Sequence, residues 1–322
     1  CVRECAMNTL LLGGDIGGTK TLLALASVGG AGIAILHEQR YASCEHEGLA
    51  PLLDDFLAGG PIPAAACFGV AGPTDGQTAD LTYLPWHLSA SALERRFGIG
   101  HVGLVNDFAA AAHGLPLVAS QRILPLQAGK PLSGAPRVIL GAGTGLGVAG
   151  LIGTGGDSQV VPGEGGHMGY SPQTLEELKL AEALLAQTGR VSVEDVVSGP
   201  GLVRIHAFLG GRLKTPAEIG AAALDGSDPL ARRATDMWLS AYGAFAGDLA
   251  LQWLARGGVY LAGGMAAKLM PQGRGAAAFV NAFNAKREHR SLAESMPIRL
   301  VAEERLGLLG ALALAAARLQ TG

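Results

Sequence analysis

The chain has 322 residues, of which 49% are hydrophobic and 16% charged, and its formal net charge is -3. This length and composition predict a globular protein of two domains and exclude a disordered chain. The mildly acidic balance, without a basic stripe, excludes a nucleic-acid partner, and the longest apolar stretch, residues 306–319, is too short and too interrupted by glycine to span a membrane.

The first predicted elements are two strands joined by a glycine turn, within residues 9–28. Both arms are rich in strand formers, and the turn at residues 17–19, followed by Lys20, has the dihedral freedom that lets backbone N–H groups surround an anion. Asp15 stands at the end of the first strand, where a carboxylate can hold Mg²⁺, usually through water. The alternative is a tight hairpin with an ordinary turn aspartate.

Four shorter elements follow along the chain. We predict a strand over 64–70, a helix over 91–97 that Ser91 caps with Glu94, a strand over 102–105 and a small-residue helix over 108–113. Asn106 and Asp107 end the second of these strands, at the edge of an open α/β sheet that faces ligands. Asp107 can accept a proton from an alcohol there, whereas the alternative is that the pair only caps the next helix.

A second glycine hairpin begins at Arg137 and turns through G-A-G-T-G-L-G at 141–147. It is similar in shape to the first, which indicates an internal duplication with a hairpin at the head of each half. The dinucleotide fingerprint would need glycine where Leu146 or Val148 stands, and no G-x-x-x-x-G-K-[ST] string occurs, so both of those nucleotide sites are excluded. A phosphate-binding hairpin in which Thr144 donates its hydroxyl is the preferred interpretation.

Polar residues follow the second hairpin in a pattern that suits a sugar. Glu164, His167 and Glu194 lie in two glycine-rich segments, and such groups can read adjacent hydroxyls. The alternative is that they are ordinary polar residues of surface loops.

Helices dominate after residue 173. Thr174 is predicted to cap a helix that ends near Gly189, Thr215 and Glu218 to form a capping box, and residues 229–256 to form a long helix. A strand then enters Gly263-Gly264, and the order of elements predicts parallel-rich sheets covered by helices.

The four cysteines, Cys1, Cys5, Cys44 and Cys67, form neither a C-x-x-C pair nor a Cys/His set with zinc spacing. We therefore expect free thiols in a reducing compartment. Since no signal-peptide pattern is present either, we expect a cytoplasmic protein.

Taken together, these segments resemble the bacterial ATP-dependent glucokinases of the sugar kinase, Hsp70 and actin superfamily. The matching strings occur in the family's order over nearly the whole chain: G-D-I-G-G-T-K-T (14–21), F-G-V-A-G-P (68–73), L-V-N-D-F-A-A (104–110), L-G-A-G-T-G-L-G-V (140–148), E-G-G-H-M-G-Y-S-P (164–172), V-E-D-V-V-S-G-P-G-L (193–202), G-G-V-Y-L-A-G-G-M (257–265) and G-L-L-G-A-L (307–312). The ordered set is specific, although each string alone is not.

The resemblance implies an α/β, two-domain, actin-like ATPase (ribonuclease H-like) fold with a cleft between a small domain, 8–113 plus 304–320, and a large domain, 114–303. It also implies transfer of the γ-phosphoryl group of ATP to the 6-hydroxyl of glucose, giving glucose 6-phosphate and ADP, by a homodimer that binds MgATP.

The resemblance assigns a role to each candidate residue. The catalytic base would be Asp107, and the other sugar hydroxyls would contact Asn106, Glu164, His167 and Glu194. Asp15 would hold Mg²⁺ through water. The phosphates would contact Gly17, Gly18, Thr19, Lys20, Gly143, Thr144 and Gly145, and the adenosine would lie against Gly263 and Gly264.

Two departures from related sequences stand out. Many relatives carry asparagine at the position of Tyr83, in a T-N-x-x-W stretch. The cysteine-rich zinc cluster of the repressor/ORF/kinase sugar kinases is missing here, which favours the zinc-free glucokinase branch.

Three other functions remain open from the sequence. One is a kinase for mannose, fructose or an N-acetylhexosamine. Another is a non-catalytic sugar-sensing regulator, which would be expected to carry a helix-turn-helix arm, and the third is a sugar-independent ATPase, which would not need the Glu164, His167 and Glu194 set.

Overall fold

The computed structural model describes residues 9–30, 32–153, 158–270 and 274–319. The predicted outer domain limits, residues 8 and 320, lie outside these ranges, as do Cys1 and Cys5. The chain forms two compact units. The first extends to Val118 and resumes at Arg305, and the second is Ala119–Glu304.

Groups of strands and groups of helices follow one another along the chain. Up to the end of the first unit's main segment they are β1 (Thr9–Ile16), β2 (Lys20–Gly29), β3 (Gly32–Ala42), α1 (Leu49–Phe56), β4 (Ala65–Val70), β5 (Thr78–Asp80), β6 (His87–Ser89), α2 (Ala90–Phe97), β7 (His101–Asn106) and α3 (Asp107–Gly114). They continue with β8 (Ile123–Gln127), β9 (Arg137–Ala142), β10 (Leu146–Ile152), β11 (Gln159–Gly163), α4 (Leu175–Thr188), α5 (Val193–Val196), α6 (Gly199–Phe208), α7 (Pro216–Asp225), α8 (Pro229–Trp253), β12 (Gly258–Ala262), α9 (Gly264–Leu269), α10 (Arg274–Asn284), α11 (Arg290–Ser295), β13 (Ile298–Val301) and α12 (Leu306–Arg318).

The first unit contains a five-stranded sheet of order β3-β2-β1-β4-β7. The first three strands pair antiparallel, whereas β1, β4 and β7 run parallel. Successive residues of β1 face opposite sides, as the pleat requires. Leu11 packs against α12 through Leu308 and Leu312, and Leu12 packs on the other side, in the core that includes Leu52 of α1. The sheet is therefore covered by helices on both faces.

The second unit contains a six-stranded sheet of order β11-β10-β9-β12-β13-β8. Its strands β9, β10 and β11 pair antiparallel and β9, β12 and β13 run parallel, so the first five strands repeat the order and directions of the other sheet. The sixth strand, β8, adds an antiparallel edge. The internal duplication predicted from the two glycine hairpins is thus present in the sheet topology.

The 25-residue helix α8 forms the centre of the second core. Its Trp238 and Tyr242 are fully buried, with ring centroids 5.3 Å apart, and Tyr242 meets Phe279 of α10 at 5.2 Å. The Trp238 Nε1–H donates to the Ser198 carbonyl at 3.0 Å, and the Tyr242 hydroxyl donates to the Leu140 carbonyl at 3.3 Å. These bonds attach α8 both to β9 and to the beginning of α6.

Several of the predicted helix caps and helix ends are confirmed. Thr174 caps α4, Gly189 ends it in the left-handed conformation, and Thr215 and Glu218 form the capping box of α7. The described parts of the chain include no helix that is both long and apolar enough to cross a membrane.

Two helix boundaries were predicted wrongly. Ser89, not Ser91, caps α2, and the Glu94 carboxylate accepts the Val102 N–H at 2.8 Å instead of closing a capping box. Helix α8 ends at Trp253, short of Arg256, because Leu254 adopts the left-handed conformation with φ 47°. No glycine marks that position, so the helix end has no signal in the sequence.

Candidate functional site

In the first unit, the predicted catalytic and metal-binding residues lie at one edge of the sheet. Parallel pairing sets Asp15 of β1 beside Gly69 of β4, and Val70 beside Asn106 of β7. Adjacent strands are about 4.8 Å apart, so the ends of β1 and β7 are separated by about 10 Å. The carboxyl ends of parallel strands meet at this edge, and Asp15 and Asp107 both belong to it.

The first glycine turn closes tightly between β1 and β2. The Gly17 N–H donates to the Lys20 carbonyl at 3.0 Å, and Thr19 and Lys20 are exposed. The Tyr83 side chain covers the turn, because a Cβ on Gly18 would lie 2.7 Å from its Cβ. Tyr83 therefore contacts the turn that is predicted to bind phosphate.

Asp15 is half-buried and lies against the first turn of α12. A Cβ on Gly307 would come within 2.9 Å of its carboxylate, so only glycine leaves room there. Loss of hydration raises the pKa of Asp15, and the nearby charge of Lys20 opposes this shift. A single carboxylate beside backbone donors fits Mg²⁺ that keeps most of its waters, as in MgATP, and a bound cation would favour the ionised form.

Asn106 and Asp107 begin helix α3. The Asn106 side-chain oxygen accepts the N–H groups of Phe108 and Ala109, both at 3.0 Å, so this residue is the helix cap that the alternative interpretation proposed. Its amide N–H₂ group is the part that can donate to a sugar. Asp107 is half-buried, and its Oδ1 accepts the Phe108 N–H at 2.8 Å. That bond fixes the direction of the carboxylate without burying it completely.

In the second unit, the glycine hairpin joins β9 to β10. The Gly143 N–H donates to the Gly145 carbonyl at 2.8 Å, and the Gly143 carbonyl accepts the Gly199 N–H from the start of α6 at 2.8 Å. Thr144 is exposed at the tip, and a Cβ on Gly143 would meet nothing within 4 Å. The hairpin is thus anchored to the start of α6, while Gly143 and Thr144 remain exposed, as a phosphate site requires.

Glu194 supports this hairpin directly. One carboxylate oxygen accepts the N–H of Leu146, the first residue after the turn, at 2.7 Å. The residue lies on the short helix α5, whose cap Ser192 forms a capping box with Asp195. A residue predicted to contact sugar is therefore also hydrogen-bonded to the predicted phosphate hairpin.

Glu164 and His167 lie on the segment that packs against the same peptide. Gly166 is buried so close to the Leu146 carbonyl that a Cβ would be 2.1 Å from its oxygen. The Glu164 carboxylate and the His167 Nε2 are 3.9 Å apart, and both side chains are more than half exposed. The Val193 N–H donates to the Met168 carbonyl at 2.8 Å, which ties this segment to the one that carries Glu194. The structure thus brings the three predicted sugar contacts to one place in the unit.

Gly263 and Gly264 lie beside the hairpin, at the same sheet edge. Strands β9 and β12 are parallel neighbours, with Ala262 opposite Gly141. Gly263 has φ 90° and would place a Cβ 2.8 Å from the Ala142 carbonyl, so no other residue fits well there. A Cβ on Gly264 would meet nothing within 4 Å, which leaves space for a flat ligand against the backbone.

Several residues at these sites had no signal in the sequence. Ser43 and Thr21 are fully buried beneath the first turn, and Gly307 contacts Asp15 from a helix distant in the chain. Each contact joins segments far apart in sequence, so a local pattern does not reveal it. Thr21 and Gly307 lie within strings that resemble the family, but those strings do not show which residues they contact. 

The chain is similar to known glucokinases in both sequence and structure. The family model described as Glucokinase matches residues 12–318. A glucokinase of Nostoc punctiforme is 41% identical over 342 aligned residues, which cover 97% of this chain and 100% of the relative. The crystal structure of a glucokinase from an Antarctic psychrotroph is 30% identical, with a TM-score of 0.78 over 96% of this chain and 99% of that one.

A more distant structure shares the fold. It is a ROK family glucokinase from Streptomyces griseus in complex with glucose and AMPPNP, 22% identical, with a TM-score of 0.64 over 96% of this chain and 99% of that one. The α/β, actin-like ATPase fold expected from the sequence is therefore confirmed. On sequence and structure alike, the chain belongs to the glucokinase family.

Proposed function

We propose that this protein is a glucokinase, which transfers the γ-phosphoryl group of MgATP to the 6-hydroxyl of glucose. The observation that carries the proposal is the half-buried carboxylate of Asp107 at the end of β7, on the same sheet edge as Asp15 and the first glycine turn. The glucokinase relative that is 41% identical over nearly the whole chain supports the choice of reaction.

In the proposed reaction, Asp107 accepts the proton of the attacking hydroxyl. Its Oδ1 is oriented by the Phe108 N–H, so the carboxylate is directed before the sugar binds. Asn106 is fixed by its capping bonds and offers its amide N–H₂ to a neighbouring hydroxyl. A positioned base of this kind contributes about 10²–10⁴-fold to the rate.

The phosphates are proposed to contact backbone donors of the glycine turns. Phosphoryl transfer depends mainly on positioning and on neutralising charge at the phosphoryl oxygens. Gly17, Gly18, Thr19 and Lys20 belong to one turn, and Gly143, Thr144 and Gly145 belong to the other. Asp15 would hold the Mg²⁺ of MgATP through water, and that ion would supply charge neutralisation.

Glu164, His167 and Glu194 are proposed to bind the remaining sugar hydroxyls. Their segments are joined by the Val193–Met168 hydrogen bond and by packing on Leu146. A set of carboxylates and an imidazole can bind adjacent hydroxyls both as acceptors and as donors. The Streptomyces griseus relative was crystallised with glucose and AMPPNP, which supports a hexose and a nucleotide as the substrates here.

We further propose that the protein is a cytoplasmic homodimer. Cys44 and Cys67 are free thiols, which suits a reducing compartment. Light scattering on the purified protein tests the dimer, because a monomer would have half of the expected mass.

A comparison of sugars tests the proposed function. ADP formation is measured with MgATP and glucose, mannose, fructose or N-acetylglucosamine, each over a full concentration series. We expect the highest kcat/KM with glucose. A higher kcat/KM with another hexose would identify that hexose as the preferred substrate. ATP hydrolysis without sugar at the same rate as with glucose would contradict a sugar kinase.

A further inference from the structure

The buried residue Ser43 holds the first glycine turn from beneath. This serine follows β3 and begins a short 3-10 turn, and its side chain is fully buried. Its Oγ donates to the Gly17 carbonyl at 2.9 Å, and its backbone N–H donates to the Thr19 carbonyl at 3.1 Å. Both ends of the turn are therefore attached to one residue.

A second buried hydroxyl completes this arrangement. The Oγ1 of Thr21, the second residue of β2, lies 3.0 Å from the Ser43 Oγ, and Thr21 is also fully buried. Because the Ser43 hydroxyl hydrogen is directed at Gly17, the Thr21 hydroxyl donates to the Ser43 oxygen. The two hydroxyls form a short chain, from Thr21 through Ser43 to the turn.

The direction of these bonds determines what the turn offers to a ligand. In a trans peptide the C=O and the following N–H point in opposite directions, and the described residues include no cis peptide. Since the carbonyls of Gly17 and Thr19 both point at Ser43, the N–H groups of Gly18 and Lys20 point away from it. Ser43 thus turns the peptide planes so that their donors face the outer side of the turn.

We propose that Ser43, supported by Thr21, is a positioning residue for the terminal phosphates of ATP. It does not touch the nucleotide, but it aligns the backbone donors that do. This inference rests on the proposed function only for the identity of the ligand, so it is tested by nucleotide binding rather than by turnover.

The test compares two nucleotides and four variants. Dissociation constants for AMPPNP and for AMP are measured by calorimetry without sugar, since AMP lacks the β- and γ-phosphates. Ser43→Ala removes the donor to Gly17, and Thr21→Val removes the supporting hydroxyl at nearly constant volume. Thr21→Ser keeps that hydroxyl. Ser27→Ala is the matched control, because Ser27 is another buried serine near the far end of β2.

We expect Ser43→Ala to raise the dissociation constant for AMPPNP roughly three- to tenfold, which is the effect of losing one buried hydrogen bond. The dissociation constant for AMP should not change. Thr21→Val should also raise the dissociation constant for AMPPNP, whereas Thr21→Ser and Ser27→Ala should leave it unchanged. If Ser43→Ala does not fold, Thr21→Val carries the comparison.

Two results would overturn the inference. One is a variant with a lowered melting temperature but unchanged AMPPNP binding, which would make the hydroxyls merely structural. The other is a variant that binds AMPPNP and AMP more weakly by the same factor. Failure of the proposed function would look different, because the wild-type protein would then not form a hexose phosphate at all.

Discussion

Two aspartates at one sheet edge differ in what surrounds them. Asp15 lies against Gly307 of α12 and next to a backbone turn, and its pKa is raised by lost hydration. Asp107 begins a helix and receives the Phe108 N–H. The surroundings of Asp15 suit a carboxylate whose charge is balanced by a bound cation. The surroundings of Asp107 suit a carboxylate that is already oriented for proton transfer.

Replacing Asp107 by asparagine distinguishes its role as a base from its structural role at the start of α3. The asparagine oxygen can still accept the Phe108 N–H, so α3 should begin as before. We expect kcat to fall by about 10²–10⁴-fold, because the amide does not accept the proton, while the dissociation constant for glucose changes little. Coupled assays and calorimetry measure the two quantities. Near-normal kcat at saturating glucose and MgATP would remove Asp107 as the base.

Asp15→Asn should separate stability from function. Because the folded pKa of Asp15 is raised, its ionisation costs stability as the pH increases from the unfolded value of 3.8 through the folded value. Asparagine has no such cost, so the melting temperature of the variant relative to wild type should increase over this range and then level off. Activity with MgATP should be lost. Thermal melts without nucleotide from pH 3 to pH 8 check this, and a pH-independent difference would contradict it.

At the scale of elements, short segments hold each turn in place. The second hairpin is attached to α6 through Gly199 and to α5 through Glu194, and the first is attached to Ser43, the residue that follows β3. Helix α12 approaches the end of β1 closely at Gly307. The loops that are proposed to bind ligands are therefore fixed by regular elements, which favours preorganised donors.

Glu194 should influence both substrates. Glu194→Ala removes the acceptor of the Leu146 N–H, so we expect KM to rise for glucose and for ATP. Glu194→Gln keeps a neutral acceptor, so the KM for ATP should rise less than the KM for glucose. Asp195→Ala is the control, because it loses a helix cap but no bond to Leu146. An unchanged KM for ATP in Glu194→Ala would contradict a link between the two sites.

Gly307→Ala should displace Asp15. The new Cβ would lie 2.9 Å from the carboxylate, too close for either to stay in place. We expect a fall in kcat of at least about tenfold and a higher Mg²⁺ requirement, because misplacement by an ångström can cost about 10²-fold. Gly48→Ala, where a Cβ meets nothing within 4 Å, is the control. A titration of rate against Mg²⁺ measures the effect, and wild-type behaviour of Gly307→Ala would refute it.

At the scale of the whole molecule, the sequence reveals the parts that rely on local chemistry. The glycine hairpins, the cap at Thr174 and the box at Thr215 and Glu218 are correctly predicted because their signals lie within a few residues. The duplicated sheet order follows from the two hairpins.

Other parts depend on tertiary contacts and were missed. The edge strand β3 begins with a short apolar run, residues 33–36, but it continues into polar residues and is mostly not buried, so no strand was predicted there. The end of α8 at Leu254 and the contact of Gly307 with Asp15 likewise leave no local pattern. Ser43 reaches a turn 26 residues away, and only the fold brings the two together.

We propose that the chain moves a phosphoryl group from ATP to the 6-hydroxyl of glucose through Asp107. The most direct measurement follows ADP and glucose 6-phosphate together, with and without glucose, in the wild-type protein and in Asp107→Asn. We predict one glucose 6-phosphate for each ADP, little ADP without sugar, and loss of both products in the variant. ADP formed without glucose 6-phosphate, or equal turnover by the variant, would contradict the account.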